Sequence, residues 1–436
     1  MNFIQTRNAI FKNLQCILPK SRIYNIRRNI SSIHNDSNNR WLKISFADGN
    51  YGIFPYVWLR DTSLDSTTYS ISDSMKARNL MMRDFDVEVV PESFKLDKEK
   101  NELKILWPGN VESCYPASWL KSRNLSSDSV KKLRKNVYLS PGKLWNKEEI
   151  EQRLQRFDHN KVMEDDKALH DFLYAVCCDG IAVLKNGPLK DKETVIKIGD
   201  RIGLIHQTHF GKTFEVTTKV EASNMAYAHG GELPYHTDFP SLSQPPELQM
   251  LYMYQKAPEN GGLSMFVDGF YIAELMRKNN PDAFKILTET PIEFIEEGYD
   301  IHERDGKDFK FIFDMASKHR TIKLDESGNV IKIQFGNAMR SWFFDIDPEK
   351  IQDVYRALKI FTTLCYAPEN QLIFPLENGD TVLWANTRCL HARSGYKSTK
   401  ENNRSILGCY FMWDIVKSRI RVIREKLNLP ENQNAL

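Results

Sequence analysis

The segment PYHTDFP, residues 234–240, places a histidine and a carboxylate two positions apart. In a β-strand alternate side chains share a face, so His236 and Asp238 would stand about 7 Å apart on one side, near enough to converge on one ion after a local twist. An H-x-D pair is common by chance, and its bland reading is a polar strand edge. A metal site needs a third ligand from elsewhere in the chain. His391, in WANTRCLHARSGY, follows the turn ENGD and ends an apolar strand-like run that could carry it across a barrel to the other two. Two imidazoles and one carboxylate on one face of a metal leave the opposite positions open, the donor set that suits a non-haem Fe(II) centre. Arg404 comes 13 residues after His391, where a planar guanidinium could hold one end of a dicarboxylate bidentately. Taken singly, His391 reads as a satisfied strand histidine and Arg404 as a surface ion-pair partner. The four together at these intervals are far more specific.

Positioning such residues requires rigid elements, and the chain is long enough for them. Its 436 residues, 41% hydrophobic and 27% charged, suit one large or two modest domains. The formal charge of +3 is small for this length, and no basic stripe is interleaved with aromatics, so composition gives no case for nucleic acid. The seven cysteines form no C-x-x-C pair and read as reduced, mostly buried thiols without a catalytic role. No apolar run reaches the length of a membrane span.

Residues 36–125 read as a small β-rich domain, with turns at ADGN and in the charged middle of SFKLDKEKNELKILWPGN. Residues 126–160 are charged and helix-prone and read as a connection. From 161 to 436 a helix, DKALHDFLYAVCCDG, leads into the strand IAVLK, followed by ELQMLYMYQ, LSMFVDG, FKFIFDM, TIKLDESGNVIKIQF, QLIFPL, DTVLWANTRCLHAR and RSILGCYFMW. So many short strands with hairpin turns predict a mainly β fold, an antiparallel double sheet of jelly-roll type. Helical inserts are expected at GFYIAELMRKNNPDAFKIL and at DPEKIQDVYRALKIFTTLCY, where Pro348 suits the first helical position.

Residues 1–35 contain Arg7, Lys12, Lys20, Arg22, Arg27 and Arg28 and no acidic residue. Phe3, Ile4, Arg7, Ile10, Phe11 and Leu14 fall at helical spacing, which makes a basic amphipathic segment of mitochondrial transit type. A disordered basic tail on a cytoplasmic protein is the alternative.

With these residues in place, the chain resembles the γ-butyrobetaine dioxygenase and trimethyllysine dioxygenase family. The likeness runs through WLRD at 58–61, ILWP at 105–108, HTD at 236–238, VDGF at 267–270, KNNPDAFKIL at 278–287, LHAR at 390–393 and WDIVKSRIRVIR at 413–424, and KNNPDAFKIL leans toward the γ-butyrobetaine members. The resemblance implies a double-stranded β-helix core, Fe(II), 2-oxoglutarate as cosubstrate, ascorbate dependence and a homodimer. It makes His236, Asp238 and His391 the iron ligands and Arg404 the 2-oxoglutarate carboxylate contact. It further implies that Phe210, Phe214, Tyr227 and Tyr410 form an aromatic cage for a trimethylammonium group, with Asn224 on the substrate carboxylate. A quaternary ammonium cannot donate an N–H hydrogen bond, so π-faces are its favourable receptor.

Two departures stand out. The family's N-terminal zinc ligands are replaced at Ser63, Asp65, Thr68 and Val111, so no structural zinc is expected. Phe210 and Phe214 stand where the γ-butyrobetaine enzymes carry Tyr and Trp, and an Asn pair has become Gly336-Asn337. The expected activity is hydroxylation of a small trimethylammonium carboxylate, γ-butyrobetaine first. Trimethyllysine hydroxylation, a non-catalytic quaternary-amine-binding paralogue and a hydrolytic metalloprotein are the rivals.

Overall fold

The strand patterns read from sequence reappear as hydrogen-bonded sheets in the computed structural model, which describes residues 29–63, 65–71, 76–139, 142–217, 230–257, 261–304, 307–397 and 403–429. The chain divides between Val137 and Tyr138 into two units. In the first, Ile30–Asp36, Trp41–Phe46 and Tyr51–Pro55 form one antiparallel sheet, and Ser93–Asp97, Glu102–Trp107 and Val111–Pro116 form another. Alternation dictates which residues go inside: Leu42, Ile44 and Phe46 face inward, as do Leu103, Ile105 and Trp107. They share a core with Tyr56, Leu59, Tyr115 and Leu120.

The expected leader therefore reaches too far. Ile30–Asp36 pairs along Trp41–Phe46, and Ile30 is buried in this core, so residues 30–35 are part of the folded unit. The amphipathic segment itself, residues 1–28, lies outside the described residues.

The places expected to lack zinc ligands carry a hydrogen-bonded cluster. Ser63 donates to Ser113 Oγ at 2.7 Å, which also accepts Trp107 Nε1 at 2.9 Å. Arg60 lies 3.3 Å from Asp65 and donates to the Thr68 hydroxyl, while Thr68 Oγ1 donates to Asp65 at 2.9 Å. The strand side chain that closes the cluster is Ser113 rather than Val111, two residues away on the same face.

In the second unit a six-stranded sheet runs in the order Phe214–Thr217, Ser405–Phe411, Leu248–Gln255, Thr381–Ala385, Ile181–Lys185 and Arg156–Asp158, antiparallel except for its last pair. A four-stranded antiparallel sheet runs Leu233–His236, Cys389–Arg393, Ser264–Asp268 and Leu372–Phe374. The six-stranded sheet is covered on both faces. Leu248, Met250, Leu383, Leu407, Cys409 and Phe411 pack with the helices Asp166–Asp179, Thr194–Ile202 and Trp413–Lys426. On the other face Ile181, Val183, Val382, Trp384 and Ile406 meet Phe266 and Leu372 of the smaller sheet. Double coverage is why Ser405–Phe411 reads as an unbroken buried run.

Helices Gly269–Asn279, Pro281–Glu289 and Pro348–Cys365 cover the outer side of the smaller sheet. Helices thus make whole layers rather than inserts, so the unit is mixed helix and sheet where a mainly β fold was expected. A long hairpin, Pro291–Arg304 with Lys307–Arg320, stands apart from both sheets. The sequence reading found its second strand but not its first.

Candidate active site

His236 and His391 come together through register. They are direct cross-strand partners at the end of Leu233–His236, and their ring centroids lie 4.1 Å apart. Asp238 arrives differently from the sequence expectation. The strand stops at His236, the Asp238 carboxylate lies against both rings, and the next residue, Phe239, takes φ +57°. Asp238 Oδ1 is 3.2 Å from His236 Nε2 and 3.6 Å from His391 Nε2, and one ligand atom from each residue lies within 4.8 Å of the others.

The bend is held from two sides. Asn386, fully buried, accepts the Asp238 N–H at 2.8 Å and donates to the carbonyls of Asp238 and Pro246. Thr237 donates its N–H to the Phe335 carbonyl at 2.7 Å and accepts the Phe335 N–H at 3.1 Å.

Protonation states suit a metal. His236 Nδ1 lies 2.8 Å from the Pro234 carbonyl, which can only accept, so Nδ1 donates there and Nε2 is the nitrogen turned to the site. Burial first, then the neighbouring His236, pushes the His391 pKa down to about 3, so the imidazole is neutral and ligand-competent near pH 7. Burial acts to raise the Asp238 pKa. The close contacts with His236 and His391 and the Tyr410 hydroxyl outweigh it and hold the carboxyl far below its usual range. Two imidazoles and an ionised carboxylate converging on one point fit a divalent iron.

Arg404 is 5% exposed and lines the same cavity of about 310 Å³ as the three ligands. Burial and then the charge of Arg393 pull its pKa down to about 10. The two guanidinium carbons lie 5.5 and 4.8 Å from the ring centroid of Tyr396, which both of them face. An anion placed here would relieve the mutual repulsion. Arg404 Nε, Gln249 Oε1 and Trp384 Nε1 are buried without a hydrogen-bond partner among the described residues, and all three residues line the cavity. Buried polar atoms left unpaired in this way mark a place for a polar ligand, and the carboxylates of 2-oxoglutarate are acceptors for the two N–H donors, Arg404 Nε and Trp384 Nε1.

Phe214 and Tyr410 stack at 5.1 Å with an interplanar angle of 23°, and Phe210 lines the cavity beyond them. Arg404, Ile406, Gly408 and Tyr410 share the inward face of one strand. At Gly408 an added Cβ would meet the Phe214 ring at 2.4 Å, so glycine makes room for the stack. Tyr410 does two things: its ring covers Phe214, and its hydroxyl donates to Asp238 Oδ2 at 2.6 Å. Asn224 and Tyr227 lie outside the described residues. Sequence reading passed over Asn386, Arg393, Gln249 and Trp384. The one available signal was a polar residue set inside apolar strand-like runs, as Gln249 is in ELQMLYMYQ.

Residues 137–410 match the family Taurine catabolism dioxygenase TauD, TfdA, and residues 33–121 match the Gamma-butyrobetaine hydroxylase-like N-terminal family. The Gamma-butyrobetaine dioxygenase of Homo sapiens is 35% identical over 393 residues, covering 90% of this chain and 96% of the relative. That of Pseudomonas sp. (strain AK-1) is 30% identical over 388 residues, covering 88% and 94%. The mitochondrial Trimethyllysine dioxygenase of Gallus gallus is 26% identical over 386 residues, covering 88% and 86%.

Proposed function

The chain belongs to the Taurine catabolism dioxygenase TauD, TfdA family of Fe(II)/2-oxoglutarate enzymes, and from that premise we propose that it hydroxylates γ-butyrobetaine to L-carnitine. The observation that carries the reading is one cavity lined by the ligand triad, Arg404 and the Phe214–Tyr410 stack. His236, Asp238 and His391 would hold the iron. Bound there, Fe(II) supplies the dioxygen chemistry that couples conversion of 2-oxoglutarate to succinate and CO2 with hydroxylation of an aliphatic C–H.

The chain's own residues do the placing. Arg404 binds the far carboxylate of 2-oxoglutarate as a bidentate fork, and Arg393 adds positive charge beside it. Tyr410 and Asn386 fix the direction of Asp238. The rings of Phe210, Phe214 and Tyr410, with Tyr227, enclose the trimethylammonium group, and Asn224 takes the substrate carboxylate, so the carbon to be hydroxylated faces the metal.

The same reading includes ascorbate dependence, a homodimer, no nucleic-acid partner and a double-stranded β-helix formed by the two facing sheets. It also includes an N-terminal unit that folds without zinc around the Ser63–Ser113–Trp107 and Arg60–Asp65–Thr68 hydrogen bonds. Mitochondrial targeting by the basic segment 1–28, with a cytoplasmic site as the alternative, completes it. That segment favours the second reading, trimethyllysine hydroxylation. Arg404 beside a complete triad speaks against a hydrolase or a non-catalytic binder, neither of which has use for a dicarboxylate fork.

Purified protein with Fe(II), 2-oxoglutarate and ascorbate should release succinate in proportion to added γ-butyrobetaine, more than to trimethyllysine. Stimulation by trimethyllysine alone would reverse the substrate order, and none by either would end the reading.

A further inference from the structure

The strand Pro291–Arg304 turns its even-numbered side chains inward. Ile292 and Phe294 are each 1% exposed in the core against the helices. Where the strand leaves that core and passes over the cavity, the same face continues as Glu296, Gly298 and Asp300, and both acids line the cavity. Gly298 pairs with Phe313, whose ring would lie 3.2 Å from a Cβ at position 298. That space lets Phe313 reach His209 and Phe210, at centroid distances of 4.5 and 6.3 Å. Glu296 is thereby set on the Phe210 side of the cavity, which is the aromatic side.

Glu296 is held in place. Ser241 Oγ donates to its Oε2 at 2.8 Å, and His209 Nε2 lies 3.5 Å from its Oε1. The His209 side chain is 3% exposed and has no hydrogen-bond partner on either ring nitrogen among the described residues. Glu215 also lines the cavity and pairs with Lys192 at 2.7 Å. Phenylalanine attracts a cation less strongly than the tryptophan that suits a cage best. Carboxylates lining the same cavity as these rings add attraction for a cation.

We infer that Glu296 and Asp300 select substrate charge, drawing the cationic end between Phe210 and the acidic face of the hairpin and disfavouring a neutral group of the same shape. This rests on the trimethylammonium reading above and names residues that nothing in that reading assigned.

The test uses the full chain loaded with Fe(II) and 2-oxoglutarate without oxygen, titrated calorimetrically with tetramethylammonium and with 5,5-dimethylhexanoate, in which an uncharged tert-butyl group replaces the trimethylammonium group of γ-butyrobetaine. Between wild type and the Glu296→Gln/Asp300→Asn double variant, tetramethylammonium should weaken roughly tenfold while the isostere is unchanged. The single variant Asp300→Asn should show roughly a threefold loss, and it keeps the test alive if Glu296→Gln fails to fold. Equal tetramethylammonium affinity in wild type and variants, or none in wild type, overturns the inference. Loss of tetramethylammonium binding in the variants of a protein that does not turn over γ-butyrobetaine would leave charge selection standing and remove the substrate assignment alone.

Discussion

Asn386 directs three side-chain hydrogen bonds at backbone, two of them on Asp238, and the residue after Asp238 sits at φ +57°. The clamp holds a conformation that phenylalanine does not choose freely. Asn386→Ala should therefore lower Fe(II) affinity about tenfold or more while the protein stays folded, since partners that orient ligands carry effects of that size. Competition titration with a metal chelator reads this, and wild-type affinity in a folded variant would show that Asp238 needs no clamp. Tyr410 can be split in the same way. Tyr410→Phe removes the hydroxyl on Asp238 but keeps the stack on Phe214, so metal binding should weaken while cation binding holds. Tyr410→Ala should lose both, and identical behaviour of the two variants would mean that only one of the contacts matters.

At the scale of elements, strand Ser405–Phe411 shows how little slack the sheet allows. Gly408→Ala puts a methyl 2.4 Å from the Phe214 ring and 2.7 Å from the Leu251 side chain, so the ring must move or the sheet must bend. Overpacking of this kind costs about 1–3 kcal/mol. The expected result is a lower Tm with a raised KM for the cationic substrate, and neither change would mean that Phe214 leaves its stack without consequence. In the first unit, burial acts to raise the Asp65 pKa, but the hydroxyls of Ser63, Thr67 and Thr68 and the Arg60 charge hold it below its ordinary value. The ionised form thus favours folding. Its contribution is complete above about pH 4 and drains away as pH falls through the lowered pKa. Acid titration followed by tryptophan fluorescence should show part of this loss vanish in Asp65→Asn. An identical acid limb in the variant would place the sensitivity elsewhere.

For the whole molecule, the strand that begins at Ile30 sets where the chain may be shortened. Removing residues 1–28 should leave Tm and turnover unchanged. Removing 1–36 strips an edge strand and the buried Ile30 from the first core, and should lower stability sharply. Equal stability of the two truncations would show that the strand adds nothing. Chelation offers a second cut, because only the second unit brings together a cluster of side chains that could hold a metal ion among the described residues. Exhaustive chelator treatment should abolish turnover and leave the tryptophan fluorescence of the isolated segment 29–137 unaltered, provided that segment folds when expressed alone. Stoichiometric zinc in iron-free full-length protein would contradict a zinc-free first unit.

The sequence by itself determined the residue types at the centre and most of the strands that carry them, because period-two burial and metal-ligand chemistry both leave local marks. HTD, LHAR and the arginine 13 positions later are visible without coordinates. What only the tertiary structure decided are the relations that cross long separations. The His236–His391 register, the bend that Asn386 holds from 148 residues away and the Tyr410 hydroxyl on Asp238 from 172 away have no local signature. The strand Pro291–Arg304 hid for a related reason. Its inward face changes from Ile292 and Phe294 to Glu296 and Asp300 because one end packs on a core and the other overlooks a cavity, so the alternation that betrays a strand breaks where it leaves the core.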